Sequence, residues 1–81
     1  MATHKLIRFA TVREITGLAR STIYLRISEG LFPPAVTLGS QSVAWPESEI
    51  TAINAARIRG ADEDQIRALV ASLVAARKSA A

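Results

Sequence analysis

The segment Phe32-Pro33-Pro34 divides this 81-residue chain into two parts that cannot belong to one helix. Proline lacks the amide that a helix interior requires, and it disfavours the helical conformation of the residue before it. Because Gly17 also interrupts the first part, only short helices fit there. A chain of this length forms one small domain, since neither half is long enough to enclose a core of its own.

The composition excludes disulfide bonds and argues against a structural metal site and against several functions. The chain has no Cys, so it forms no disulfide, and its single histidine, His4, makes a structural zinc site unexpected. The four glycines are isolated and form no phosphate-binding loop. With so few nucleophiles and proton-transfer groups, we expect no enzymatic activity, no cofactor and no metal.

The positive charge is concentrated in the first half of the chain. Residues 1–45 contain five Lys or Arg and two Glu, whereas residues 46–81 contain five cations and five anions. A local excess of this kind suggests an anionic partner, most often nucleic acid, and the alternative is a basic surface without function. No stretch resembles the roughly 20 apolar residues of a membrane span. Arg8 interrupts the apolar run that a signal peptide needs after Lys5. We therefore expect an intracellular protein that does not contact membranes.

Two short helices are predicted before the prolines. Thr11 and Glu14 have the spacing of a capping box, which predicts a helix that begins at Thr11 and ends at Gly17. A second helix over residues 20–29 places Ile23 and Ile27 inward. Its outward side chains are Ser21, Thr22, Leu25, Ser28 and Glu29, with Arg20, Tyr24 and Arg26 on the flanks.

A β-hairpin and a third helix follow. Residues 36–38 and 43–45 alternate at period two around a polar tip, which predicts a hairpin. Its expected inner face is Val36, Leu38, Val43 and Trp45. The third helix starts at Pro46 and ends at Gly60; Glu47 and Glu49 suit its positive end better than they suit a paired acidic site. Its expected inward side chains are Ile50, Ile53 and Ile58.

A fourth helix is predicted from a capping box formed by Asp62 and Gln65. Its apolar stripe is Ile66, Leu69, Val70, Leu73 and Val74. The stripe either packs on the third helix or contacts another copy or a partner. Our interpretation assigns Ile66 and Leu69 to packing, and it assigns oligomerisation to some of the three residues Val70, Leu73 and Val74.

The order of these elements predicts a winged helix-turn-helix in residues 1–60 and an additional amphipathic C-terminal helix in residues 61–81, a mainly α fold with a small β-hairpin. A helix fits the major groove of DNA, and short polar side chains allow it to approach base edges. Arg20 and Arg26 at its margins are placed to meet phosphates. The alternatives are a solvated helix face and pairing of either arginine with Glu29.

Four motifs then give a family resemblance over residues 8–58: EITGLARSTIY at 14–24, EGLFP at 29–33, V-x-L-G at 36–39 and W-x-E-S-E-I at 45–50. They resemble the AlpA family of small bacterial and prophage DNA-binding proteins, which is similar in fold to MerR-type domains and to phage excisionases. The resemblance implies cytoplasmic, nucleoid-associated control of integrase genes, or excision of a mobile element as a recombination directionality factor. It also implies duplex DNA as partner, with self-association on DNA and contact with an integrase as further expectations.

The chain departs from the family pattern at several positions. Ala19 replaces the usual serine cap of the recognition helix, and the basic residue expected at Leu25 follows one position later. The wing tip is neutral, which favours hydrogen bonds from Gln41 and Ser42 over strong phosphate contacts. The candidate DNA-binding residues are Arg13, Arg20, Ser21, Thr22, Tyr24, Leu25, Arg26, Ser28, Gln41 and Ser42. Arg13 and Arg8 are weaker candidates than the others, because simple solvation explains them equally well. An interaction adaptor that docks an integrase is the alternative function.

Overall fold

The computed structural model describes residues 5–79, and His4 lies outside them. Within this range the helices and the hairpin follow in the predicted order, and one further strand precedes them. The elements are β1 (Leu6–Ile7), α1 (Phe9–Thr16), α2 (Arg20–Ser28), β2 (Val36–Gly39), β3 (Ser42–Pro46), α3 (Glu47–Ile58) and α4 (Glu63–Ala76), then a 3₁₀ turn (Arg77–Ser79). This order confirms the predicted fold class, a winged helix-turn-helix with an additional helix.

Helix α1 begins two residues earlier than predicted. It starts at Phe9, and no side chain caps it, so the predicted capping box at Thr11 is wrong. The Phe9 ring lies edge-to-face on Trp45, with 5.3 Å between ring centroids, and this packing favours the earlier start. The helix ends as predicted at Gly17, whose φ of 72° is a left-handed conformation that glycine adopts without steric cost.

Helix α2 faces the core with the predicted stripe. Ile23 is fully buried, and Ile27 packs against the buried cluster. Ala19 precedes the helix in an extended conformation and gives its first turn no side-chain hydrogen bond. The start of α2 is therefore uncapped, as the replacement of serine by alanine predicts.

Strand β3 is the centre of an antiparallel sheet with the order β1-β3-β2. The register pairs Leu6 with Pro46, Ile7 with Trp45, Val36 with Ala44 and Thr37 with Val43. The sequence did not predict β1, because two residues are too few to show an alternating pattern. Strand β1 ties the start of α1 to the wing.

The predicted inner face of the hairpin is right for Trp45 and wrong for Leu38. Trp45 is fully buried, and its Nε1 donates a hydrogen bond of 2.9 Å to the Pro33 carbonyl. An irregular register between positions 37 and 39 interrupts the alternation, and Leu38 is 48% exposed. Val36 and Val43 are half-buried.

Helix α3 supplies the middle of the core. Ile50 and Ile53 are buried as predicted, whereas Ile58 is 81% exposed, so its predicted burial is wrong. Ile58 lies five positions after Ile53, so the two side chains point about 140° apart around the helix axis. The predicted end of the helix is confirmed, since Gly60 follows with a φ of 84°.

Helix α4 begins with the predicted capping box. Asp62 Oδ1 accepts from the Gln65 amide, and Gln65 Oε1 accepts from the Asp62 amide, each at 2.9 Å. Ile66 is buried, as predicted, but so is Val70, which the sequence assigned to oligomerisation. Leu69, Leu73 and Val74 are half-buried against the same cluster. Helix α4 therefore completes one core shared with the winged helix.

Arg77 attaches the turn after α4 to this core. Its Nε donates to one carboxylate oxygen of Glu49 at 2.8 Å, and its Nη2 donates to the other at 2.6 Å. The same Nη2 donates to the Pro34 carbonyl at 2.8 Å, just before the wing. Glu49 is only 4% exposed, so its role extends beyond the predicted one at the start of α3.

Candidate DNA interface

The outward face of α2 is exposed largely as the helical spacing predicts. Ser21 and Ser28 are exposed, and Thr22 is half-buried. Tyr24 and Leu25 expose 48% and 57% of their surface, so both side chains are accessible to a ligand. The helix thus presents short polar groups together with two large apolar ones.

Ser28 differs from the other polar residues on this face. Its hydroxyl donates a 2.6 Å hydrogen bond to the Leu25 carbonyl within the same helix. The proton is therefore occupied, and only the oxygen lone pairs remain for an external donor. This bond makes Ser28 a weaker candidate for base contact than Ser21.

An aromatic stack holds the flank of α2. The guanidinium of Arg20 lies 4.6 Å from the centroid of the Phe9 ring. Phe9 also contacts Tyr24, with 5.5 Å between ring centroids, and its other neighbour is the buried Trp45. Cation–π and ring–ring contacts of this kind favour defined side-chain positions. The core thereby positions two exposed side chains of α2.

The arginines of α1 and α2 have no acidic partner in the described part of the chain. The salt bridges there join Lys5 to Glu47, Arg67 to Glu63 and Asp64, and Arg77 to Glu49. The pairing of Arg20 or Arg26 with Glu29, considered from the sequence, does not occur. The charge of these arginines is therefore not neutralised within residues 5–79.

A surface depression of about 430 Å³ joins α1, α2 and the wing. Its lining is Arg8, Phe9, Ala10, Arg20, Tyr24, Gln41 and Val43. The structure thus brings together three of the predicted residues, Arg20, Tyr24 and Gln41, which the sequence separates by up to 21 positions. It adds Phe9, which the sequence analysis missed, and Arg8, which it ranked low. Both residues directly follow β1, and two residues of strand show too little alternation to predict where the following side chains lie.

Other predicted residues lie outside this depression. Arg13 lines a second one, beside the turn between α1 and α2. Arg26 lines a third, together with Arg57 of α3. The predicted cations are therefore distributed around α2 rather than gathered at one point.

The wing is uncharged between positions 36 and 46. Gln41 is exposed at its tip, and Ser42 is half-buried beside it. Both side chains are hydrogen-bonding groups that bring no net charge. The wing thus differs from α2, which carries two arginines.

Two further properties concern residues 5–79 only. No group of three or more His, Cys, Asp or Glu side chains is arranged there to hold a metal ion. No helix in that range combines the length and the apolar character needed to cross a bilayer.

Comparisons with known proteins show the family of the chain. A family model described as "Prophage CP4-57 regulatory protein (AlpA)" matches residues 5–57. A protein of Enterobacteria phage P4, described as "Uncharacterized protein ORF88", is 50% identical over 56 residues, which cover 69% of this chain and 64% of that protein. No solved structure gives a significant match. Because the family match covers more than half of the sequence and contains the helix-turn-helix and the wing, the chain belongs to the AlpA family of prophage regulatory proteins.

Proposed function

We propose that this protein binds duplex DNA of specific sequence and regulates a mobile genetic element. The observation that carries the proposal is the exposed face of α2, where small polar side chains lie between arginines that have no acidic partner within residues 5–79. Such a helix can enter the major groove, with its polar side chains at base edges and its cations at phosphates. Membership of a prophage regulatory family supports the regulatory role.

The proposal gives each group of residues a role. Ser21 and Thr22 contact base edges, and Leu25 meets a thymine methyl group. Phosphate contacts come from Arg13, Arg20 and Arg26, and the wing adds hydrogen bonds from Gln41 and Ser42. Because the wing is neutral, its contacts are expected to depend little on salt.

Selection of bound duplexes from a random library, followed by gel shift, tests the proposal. The wild-type chain is expected to enrich a defined sequence. Arg20→Ala should weaken binding and lower the slope of log K against log salt by about 0.9, the value for one phosphate. Ser21→Ala should change the sequence preference instead. Arg59→Ala is the matched control, since Arg59 is exposed at the end of α3, outside the α2 face. Failure to enrich any sequence would contradict sequence-specific binding.

Two regulatory roles are compatible with this interface: transcriptional control of integrase genes, and action as a recombination directionality factor. In the second role the protein bends attachment-site DNA so that the integrase excises the element. An excision reaction with purified integrase and supercoiled attachment-site DNA, with and without this protein, tests the directionality role. A promoter–reporter assay tests transcriptional control. Excision that depends on the protein supports the directionality role, and repression alone supports transcriptional control.

Self-association on DNA is part of the proposal. A single small module buries only about 600–1,000 Å² on DNA, so neighbouring copies would add affinity. Leu73 and Val74 are half-buried on α4 and retain exposed surface for such a contact. Sedimentation of the protein on duplexes with one or two sites tests this point. Leu73→Gln should lower the stoichiometry on two sites, while the melting temperature reports whether the fold persists.

A second candidate function, docking of an integrase without DNA, is favoured by one observation. The wing is uncharged and exposes Leu38, an apolar side chain that is available to a protein partner. Capture of purified integrase by the wild-type chain in nuclease-treated buffer, and its loss in Leu38→Ser, would support the adaptor. Equal capture by both chains, or capture by neither, would contradict docking through the wing.

A further inference from the structure

We infer that the depression between α1, α2 and the wing is a site for one backbone phosphate of DNA, held by Arg8 and Arg20 together, with Phe9 as a positioning residue. This inference rests on the proposed DNA binding and makes it more specific. Arg8 lies at the junction of β1 and α1, so the site depends on the strand that the sequence did not predict.

The lining of the depression has the chemistry of an anion site. Arg8 and Arg20 both border it, and neither has an acidic partner within residues 5–79. Tyr24 and Gln41 add a hydroxyl and an amide, which donate hydrogen bonds to phosphate oxygens. Among residues 5–79, no acidic side chain lines the depression. Two guanidinium groups with neutral donors suit a phosphodiester, which carries one negative charge.

The position of the depression suits the DNA backbone rather than the bases. It is bordered on one side by Tyr24, on the flank of the recognition helix, and on the other by Gln41 at the wing tip. When α2 occupies a major groove, the flank that faces the wing lies against the strand that borders that groove. A phosphate of this strand then enters the depression.

Phe9 prepares this site by positioning Arg20. Its ring holds the Arg20 guanidinium at 4.6 Å and contacts Tyr24, while Trp45 fixes it from the core side. A leucine at this position keeps much of the apolar volume but removes the π face that attracts the guanidinium. The effect of Phe9 on binding should therefore pass through Arg20.

A scan with methylphosphonates tests the shared site. The probe is a duplex enriched by the wild-type chain, with one phosphate at a time replaced by a neutral methylphosphonate. The wild-type chain should lose affinity when the phosphate at one particular position is replaced. The same replacement should leave the affinity of Arg8→Ala and of Arg20→Ala unchanged. The double variant should lower the salt slope by about 0.9 in total, the value for one phosphate rather than two. Arg59→Ala should reproduce the wild-type scan.

Phe9 is tested by a double-mutant cycle on the same duplex. Phe9→Leu should lower affinity and salt slope in the wild-type background and change neither in the Arg20→Ala background. Phe9→Tyr, which retains the aromatic face, should restore binding. A merely structural role would instead give a lower melting temperature and equal losses in both backgrounds, and it would overturn the assignment of Phe9.

The outcomes separate this inference from the proposed function. If the duplex is enriched but Arg8→Ala leaves its scan and salt slope unchanged, the phosphate site is wrong and DNA binding stands. If the replacement that no longer affects binding is at one position in Arg8→Ala and at another in Arg20→Ala, the two arginines do not share a phosphate. If no duplex is enriched, the proposed function fails, and the inference fails with it.

Discussion

Replacing Arg77 with alanine should destabilise the protein strongly. The guanidinium makes two hydrogen bonds to Glu49 and one to the Pro34 carbonyl, between 2.6 and 2.8 Å. Glu49 is 4% exposed, so its carboxylate would lose its partner in a site that water hardly reaches. Removing one member of a buried ion pair costs about 3–5 kcal/mol. Because about a quarter of the Arg77 side chain is exposed, we expect a value near the lower limit, about 3 kcal/mol.

This loss is large for so small a domain. At roughly 0.05–0.15 kcal/mol per residue, the whole chain has a free energy of unfolding of about 4–12 kcal/mol. A loss of about 3 kcal/mol corresponds to a fall of about 12–24 °C in melting temperature. Urea unfolding followed by circular dichroism measures the free energy, and thermal unfolding measures the temperature. Lys78→Ala is the control, because it removes a neighbouring exposed cation.

A double variant distinguishes a buried charge from simple loss of packing. Arg77→Met with Glu49→Leu removes both charges and keeps similar side-chain volumes. Replacement of a whole buried pair is often neutral or stabilising, so this variant should lie within about 1 kcal/mol of wild type. If Arg77→Ala costs no more than Lys78→Ala, the pair does not hold the turn after α4 to the core, and our reasoning is refuted.

Three other substitutions test local features of the fold by urea unfolding. Ala19→Ser should stabilise the protein by about 1 kcal/mol, since the extended residue before α2 is suited to cap it; an unchanged stability would show that the cap does not form. Gly17→Ala should cost about 1–2 kcal/mol through its positive φ alone, because no atom beyond the adjacent residues lies within 4 Å of the added methyl group. Gly17→Asn should cost less, and the opposite order would contradict this cause. Trp45→Phe should cost about 2–4 kcal/mol through the lost hydrogen bond to Pro33 and the lost ring volume, and a loss below 1 kcal/mol would contradict the anchoring role of the indole.

Features set by neighbouring residues could be predicted from the sequence. The helix ends at Gly17 and Gly60 and the capping box at Asp62 depend on groups within four residues of each other, and all three are confirmed. The start of α1 was predicted wrongly because Phe9 packs on Trp45, 36 positions away, and this contact outweighs the local signal at Thr11.

In the candidate interface, too, the sequence predicted local features and missed those that depend on distant contacts. Helical spacing predicted the exposed face of α2, because that face depends on periodicity alone. The depression required the pairing of β1 with β3, and two residues of strand give too little pattern to predict it. The contact between Glu49 and Arg77 spans 28 positions, and no local rule joins such a pair.

The contacts among Phe32, Trp45, Phe9 and Tyr24 have a consequence for the thermodynamics of recognition. Side chains already restrained in the free protein lose little rotational entropy when a ligand arrives. Because Arg20 is held on Phe9, its side chain has less rotational freedom to lose on binding than an ordinary exposed arginine has. In the proposed complex with DNA, the mutual adjustment would then fall mainly on the duplex, whose groove width and curvature vary with its base sequence.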